Sequence, residues 1–181
     1  ETVRETADLL RNHPRLGGAT ILTADRTGDL AVIEYGPTRL EVRRKGLNLQ
    51  EDFLICTNHY LTPPMREREV PLDAVHVNSS IPSLEGKPVH ESSILRHEGA
   101  RRILEKNASK KIGLEFLHEK VQCSHGPDNE PSGNTICNHG DEISTGFGVM
   151  YDVKNGEFHA TLGKPCRSKA QKIHSFSRPS N

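Results

Sequence analysis

The sequence predicts an α+β fold with mostly antiparallel strands and two to three helices. Three observations carry that reading. Short strand-like runs come first and are joined by tight turns, helical periodicity follows in the middle, and a hairpin with Asn155-Gly156 at its turn closes the chain. The elements appear in order as follows. Thr2 and Glu5 have capping-box spacing, and Val3, Ala7 and Leu10 recur at helical intervals until Pro14 stops them. After Gly17-Gly18, the run Ala19 to Thr23 reads as a strand, as do Leu30 to Tyr35 and Leu40 to Arg43, with turn material at Asp25–Asp29 and Gly36-Pro37. Phe53 to Thr57 is a fourth apolar run, expected to lie within the sheet and to end in Asn58-His59-Tyr60. Residues 61–91 hold five prolines and read as an irregular surface excursion. Ser92-Ser93 caps a helix expected to reach Asn107, and Ser109 a second one lined by Leu114, Leu117 and Val121. Gly146–Asp152 and Glu157–Leu162 form the closing hairpin.

Composition narrows the classes. The 181 residues suit a single domain or a large piece of one, and 24 basic against 24 acidic side chains leave no net field for nucleic acid or an anionic membrane. The basic stretch Lys164–Arg178 has only Phe158 and Phe176 near it and reads as a solvated face. Apolar residues make up 33% and aromatics 4%, so the supply of core is thin without being low enough for disorder. No apolar run approaches the roughly 18 residues of a membrane span. Four sparse cysteines do not make a disulfide scaffold, which points to a reducing, cytoplasmic setting.

Candidate chemistry sits in three places. Cys123-x-His125 and Cys137-x-His139 offer four soft ligands in two pairs, which could hold zinc, although a one-residue gap within a pair is tight for a shared site. Cys56 and His59 could pair as thiol and base, but Cys56 lies in an apolar run where a thiol behaves as a small hydrophobe. Asn58 can present a side-chain amide to an oxyanion, or cap its own backbone.

Several segments, in order, resemble one family. They are Gly17-Gly-Ala-Thr-Ile-Leu-Thr-Ala-Asp25 followed by Gly28 and Ala31-Val-Ile-Glu34, then Thr57-Asn-His-Tyr60, Ser93-x-x-Arg96 and Ile136-Cys-Asn-His139, and finally Thr145 to Asp152 with Gly163-x-Pro-Cys166. Together they resemble the acyl-CoA:6-aminopenicillanic-acid acyltransferase (isopenicillin N acyltransferase-like) group, related to choloylglycine hydrolases. The resemblance implies an αββα N-terminal-nucleophile sandwich in which a precursor cleaves itself to expose a cysteine, whose α-amine acts as base. It implies that Asn58 holds the oxyanion, that Arg96 matches an arginine beside the nucleophile, and that His59 and Tyr60 contribute to the substrate wall. Cys137 and His139 then belong to a family loop, with no metal and no cofactor expected.

The resemblance also implies that the nucleophile lies upstream of Glu1 and that residues 1–181 are the C-terminal portion of one larger domain. The expected partners are a small amide or acyl-CoA substrate, the N-terminal segment of the same precursor and a second copy of the chain, with no nucleic acid or membrane. Alone, the chain is expected to be inactive. Two other readings stand beside the hydrolase or acyltransferase: a ligand-binding module that kept the fold, and a small zinc-stabilised interaction domain.

Overall fold

The computed structural model describes residues 2–46, 52–141 and 143–175. Glu1 and the end of the basic stretch, including Phe176 and Arg178, lie outside the described residues. The described chain is a mixture of helix and antiparallel sheet, an α+β fold with two three-stranded sheets. It divides into two compact units, Glu1–His97 and Glu98–Asn181.

In the first unit, α1 (Val3–Asn12) starts as its capping box dictates. Thr2 Oγ1 accepts from the Glu5 N–H at 3.2 Å, and Glu5 Oε2 accepts from the Thr2 N–H at 2.7 Å. The helix turns Val3 and Ala7 inward. Its first N–H groups lack helical partners, and that of Val3 donates to Asp25 Oδ2 at 3.0 Å. Asp25 also accepts from the Thr27 hydroxyl and the Thr27 and Asp29 N–H groups, which hold its carboxyl down to about 2. One aspartate thus shapes the first hairpin turn and anchors the helix beside it.

The strands β1 (Ala19–Ala24), β2 (Leu30–Tyr35) and β3 (Leu40–Arg44) form an antiparallel meander in that order. The central strand β2 buries Ala31, Val32, Ile33 and Glu34 completely. Glu34 is an acid in the middle of a core strand, so it must be paired. Its Oε1 accepts from Arg43 Nε at 2.9 Å and from the Leu61 N–H at 3.0 Å. Its Oε2 accepts from the Thr62 N–H at 2.9 Å and the Thr62 hydroxyl at 2.7 Å. Gly18, just before β1, has its own reason: a Cβ there would collide with the Tyr60 hydroxyl, which donates to the Tyr35 carbonyl at 2.7 Å.

Phe53–Thr57 is not the fourth strand that its apolar character suggested. Among the described residues the sheet ends at β3, and the run is half-buried without strand pairing. Its Ile55 carbonyl accepts from Arg43 Nη2 at 2.8 Å instead. Apolar content drove burial here without strand pairing. Beyond it come a short α2 (Pro63–Arg66), with Met65 buried, and a bridge between Val75 and Pro88 inside the Pro-rich stretch.

Helix α3 (Glu91–Lys106) begins in the first unit and runs into the second. The next helix does not start at Ser109. Its α-helical turn α4 (Leu114–Phe116) has Gly113 at the N-cap, and the chain continues as a π-helical segment, Leu117–Gln122. Extended backbone at Gly113 (φ −112°, ψ 179°) delays helical winding past the hydroxyl. The second sheet is β4 (Phe147–Asp152), β5 (Glu157–Leu162) and β6 (Gln171–Ser175), again antiparallel in chain order. Asp152 accepts from the Asn155 backbone and side chain, and Gly156 takes φ +67° to close the β4–β5 turn. A short 3₁₀ turn, Pro165–Arg167, leads into β6.

Candidate functional site

The candidate residues of the first unit meet where the loop after Phe53–Thr57 touches the start of α3. Asn58 lies at an exposed bend, not at a strand end. Its N–H donates to Ser93 Oγ at 2.7 Å, and Arg96 Nη2 donates to its Oδ1 at 2.7 Å. A guanidinium has donors only, so the amide must turn its oxygen toward Arg96 and leave the NH₂ as the outward end. Arg96 is itself steadied one helical turn back, where its Nε donates to the Ser92 carbonyl at 3.1 Å. Burial lowers its pKa from the ordinary arginine value.

His59 is buried, with 5% of its surface exposed. Its Nδ1 lies 2.7 Å from Ser93 Oγ and 3.2 Å from Thr57 Oγ1. Burial, with His97, Arg66 and His90 nearby, holds its pKa down to about 4, so the ring is neutral near pH 7. Nδ1 is then free to accept the Ser93 O–H, while the Ser93 oxygen accepts from Asn58. The result is a chain of hydrogen bonds through Ser93: the Asn58 N–H donates to its oxygen, and the Nε2-protonated tautomer of His59 accepts its O–H. Tyr60 follows, its N–H donating to Glu69 Oε2 at 3.1 Å and its hydroxyl to the sheet. His59 and Tyr60 therefore tie the Asn58 loop to the body of the unit. Two residues after Tyr60, Glu34 grips Thr62 as well.

Cys56 and His59 are not joined in a hydrogen bond, since the His59 Nδ1 contacts are with hydroxyls. Burial raises the Cys56 thiol pKa, the wrong direction for a nucleophile. In the second unit the chain brings together His125, Cys137, His139 and Cys166, one ligand atom of each lying within 4.8 Å of the others. Cys123, the expected fourth member, is replaced by Cys166.

Residues 1–167 match the family described as acyl-coenzyme A:6-aminopenicillanic acid acyl-transferase. The chain belongs to that family. Among curated proteins, nothing matches it. Membership in an acyltransferase family gives the Asn58–Arg96 arrangement a chemical context, because acyl transfer passes through a tetrahedral oxyanion that needs donors.

Two contributors escaped the sequence reading as site residues. Ser93 lay inside a recognised segment, but nothing in the sequence marks it as the acceptor for a bend 35 residues away. Glu34 left a usable signal, a charge in the centre of Leu30–Tyr35 where a core strand should be apolar. It holds the far side of the same loop through Leu61 and Thr62.

Proposed function

We propose that Asn58 is the oxyanion-binding amide of a cysteine amide hydrolase or acyltransferase, with Arg96 as its positioning residue. The substrate is a small acyl amide or acyl thioester, and the thiol comes from an N-terminal segment outside residues 1–181. The observation that carries this reading is the 2.7 Å bond from Arg96 Nη2 to Asn58 Oδ1. It fixes which end of the amide is presented, and a cation on the oxygen polarises the NH₂ into a stronger donor. Attack on the carbonyl carbon moves an electron pair onto its oxygen. Asn58 Nδ2–H then donates to charge that is absent in the ground state, so the interaction is spent on the transition state.

Cys56 supports a nucleophile from elsewhere. Burial raises the pKa of Cys56, the one thiol near the Asn58 loop, which disfavours its thiolate.

The test uses the enzyme expressed from its whole reading frame, assayed with acyl-CoA plus an amine acceptor and with acyl amides. Asn58→Ala is expected to lower kcat by about 10²–10³ with little change in KM. Asn58→Asp is expected to be worse, because a carboxylate repels the oxyanion. Arg96→Gln is expected to lower kcat by about tenfold, since the amide loses its preferred flip but not its donor. A kcat for Asn58→Ala within twofold of wild type, in a folded protein, rejects the assignment. Acyl-amide binding without turnover by wild type favours a binding module.

A further inference from the structure

The second unit contains a group of four soft side chains that the Asn58 chemistry does not use. We infer that His125, Cys137, His139 and Cys166 form a Cys₂His₂ site for zinc, which staples this unit together. The inference does not depend on the role proposed for Asn58.

The donor atoms already have the spacing of a coordination shell. His139 Nε2 lies 3.5 Å from Cys137 Sγ and 3.3 Å from Cys166 Sγ. Zn–S bonds of about 2.3 Å and Zn–N bonds of about 2.0–2.1 Å at tetrahedral angles place sulfur and nitrogen ligands about 3.5 Å apart. The His125 and His139 rings meet edge to face with centroids 4.9 Å apart. His125 Nε2 is buried and, among the described residues, has no hydrogen-bond partner. Such an orphan is costly, and a metal bond at that atom removes the cost. A thiol–imidazole dyad would explain one of these contacts. It does not explain why two sulfurs share one imidazole nitrogen with a second imidazole beside it.

The ligands are held before any metal arrives. The Cys137 N–H donates to the Ser124 carbonyl at 3.0 Å, joining the His125 and Cys137 segments. The Thr135 hydroxyl donates to the Cys137 carbonyl at 2.7 Å, and the His139 N–H donates to the Ser132 carbonyl at 3.0 Å. Cys166 rides on the rigid 3₁₀ turn Pro165–Arg167. All four positions are thus filled by protein from three separate stretches, which is the closed arrangement of a structural site, with no place for substrate. Two thiolates and two imidazoles select zinc over the hard divalent cations. The need is plain from the core: among the described residues of this unit the buried apolar side chains are Ala100, Leu104, Cys137, Met150 and Pro165. A unit with so little to bury gains from a metal clip.

The test is zinc stoichiometry on the full chain, purified under reducing conditions and exchanged into metal-free buffer. Elemental analysis is expected to find about one zinc per chain. Cobalt exchanged for zinc is expected to give the intense absorption and thiolate charge-transfer bands of a tetrahedral Cys₂His₂ centre. Cys137→Ser and Cys166→Ser are each expected to lose most of the metal, whereas Cys123→Ser keeps it. The proposal is overturned if wild type holds less than about a tenth of an equivalent after zinc loading. A Cys137–Cys166 disulfide recovered from metal-free, active or folded protein overturns it too. Loss of zinc from Cys123→Ser with retention in Cys166→Ser overturns the ligand set. The wild-type stoichiometry and cobalt spectrum decide the matter even if the variants fail to fold.

Discussion

Replacing Glu34 by Gln tests how the loop that carries Asn58 is held. Glu34 is fully buried and its two oxygens take four hydrogen bonds, from Arg43, Leu61 and twice from Thr62. Gln has nearly the same shape but only one accepting oxygen. If that oxygen faces Thr62, the new NH₂ points at Arg43 Nε and the Leu61 N–H, placing donor against donor. Arg43, 8% exposed, keeps its charge and its bond to the Ile55 carbonyl but loses its counter-ion. Breaking a buried pair from one side costs about 3–5 kcal/mol, a large share of the roughly 5–15 kcal/mol that stabilises an ordinary domain. With a urea slope of about 2 kcal/mol/M, the unfolding midpoint is expected to fall by about 2 M. Glu34→Gln combined with Arg43→Met is expected to recover part of the loss, because the stranded charge has gone. A loss below about 1 kcal/mol in the single variant, or no recovery in the double, refutes the reasoning.

Three further outcomes are expected. Gly18→Ala pushes a methyl into the Tyr60 hydroxyl and is expected to cost about 1–2 kcal/mol, with Tyr60→Phe restoring part of it in a thermal-melt comparison; no restoration places the strain elsewhere. His59 binds its proton near pH 4 when folded, against about 6.5 unfolded, so its contribution is intact above pH 6.5 and is lost as the pH falls toward 4. That loss amounts to at most about 3 kcal/mol, and an unchanged pH slope in His59→Asn assigns the effect to other groups. Thr2→Ala removes the α1 cap and is expected to lower stability by about 1 kcal/mol in the same melt; Thr2→Ser retains it.

The parts of this molecule that were legible in its sequence are those specified by neighbours. The Thr2–Glu5 cap joins residues three apart, and the three strands of the first meander and the β4–β5 hairpin pair chain neighbours across short turns, the farthest partners being Ala19 and Tyr35. β6 was not legible, because Gln171-Lys-Ile-His-Ser175 has a single aliphatic residue and becomes a strand only through the edge that β5 offers. Phe53–Thr57 failed in the opposite sense: its side chains favour burial, and burial does not require a strand. The Asn58–Arg96 pairing joins residues whose motifs were visible separately, but the bond between them spans 38 positions and has no local signature. Cys166 joined His139 across 27 positions for the same reason, while Cys123, nearer in sequence, did not enter the four.

The string Arg96–Asn58–Ser93–His59 has a consequence for how rate measurements are to be interpreted. Amide and hydroxyl do not ionise, the guanidinium keeps its proton, and His59 changes charge only near about pH 4. Between about pH 5 and 9 the string therefore keeps its charge. For an enzyme that turns over on this scaffold, any inflection in that interval originates outside the string. Acid–base titration of activity then reports on groups outside the string.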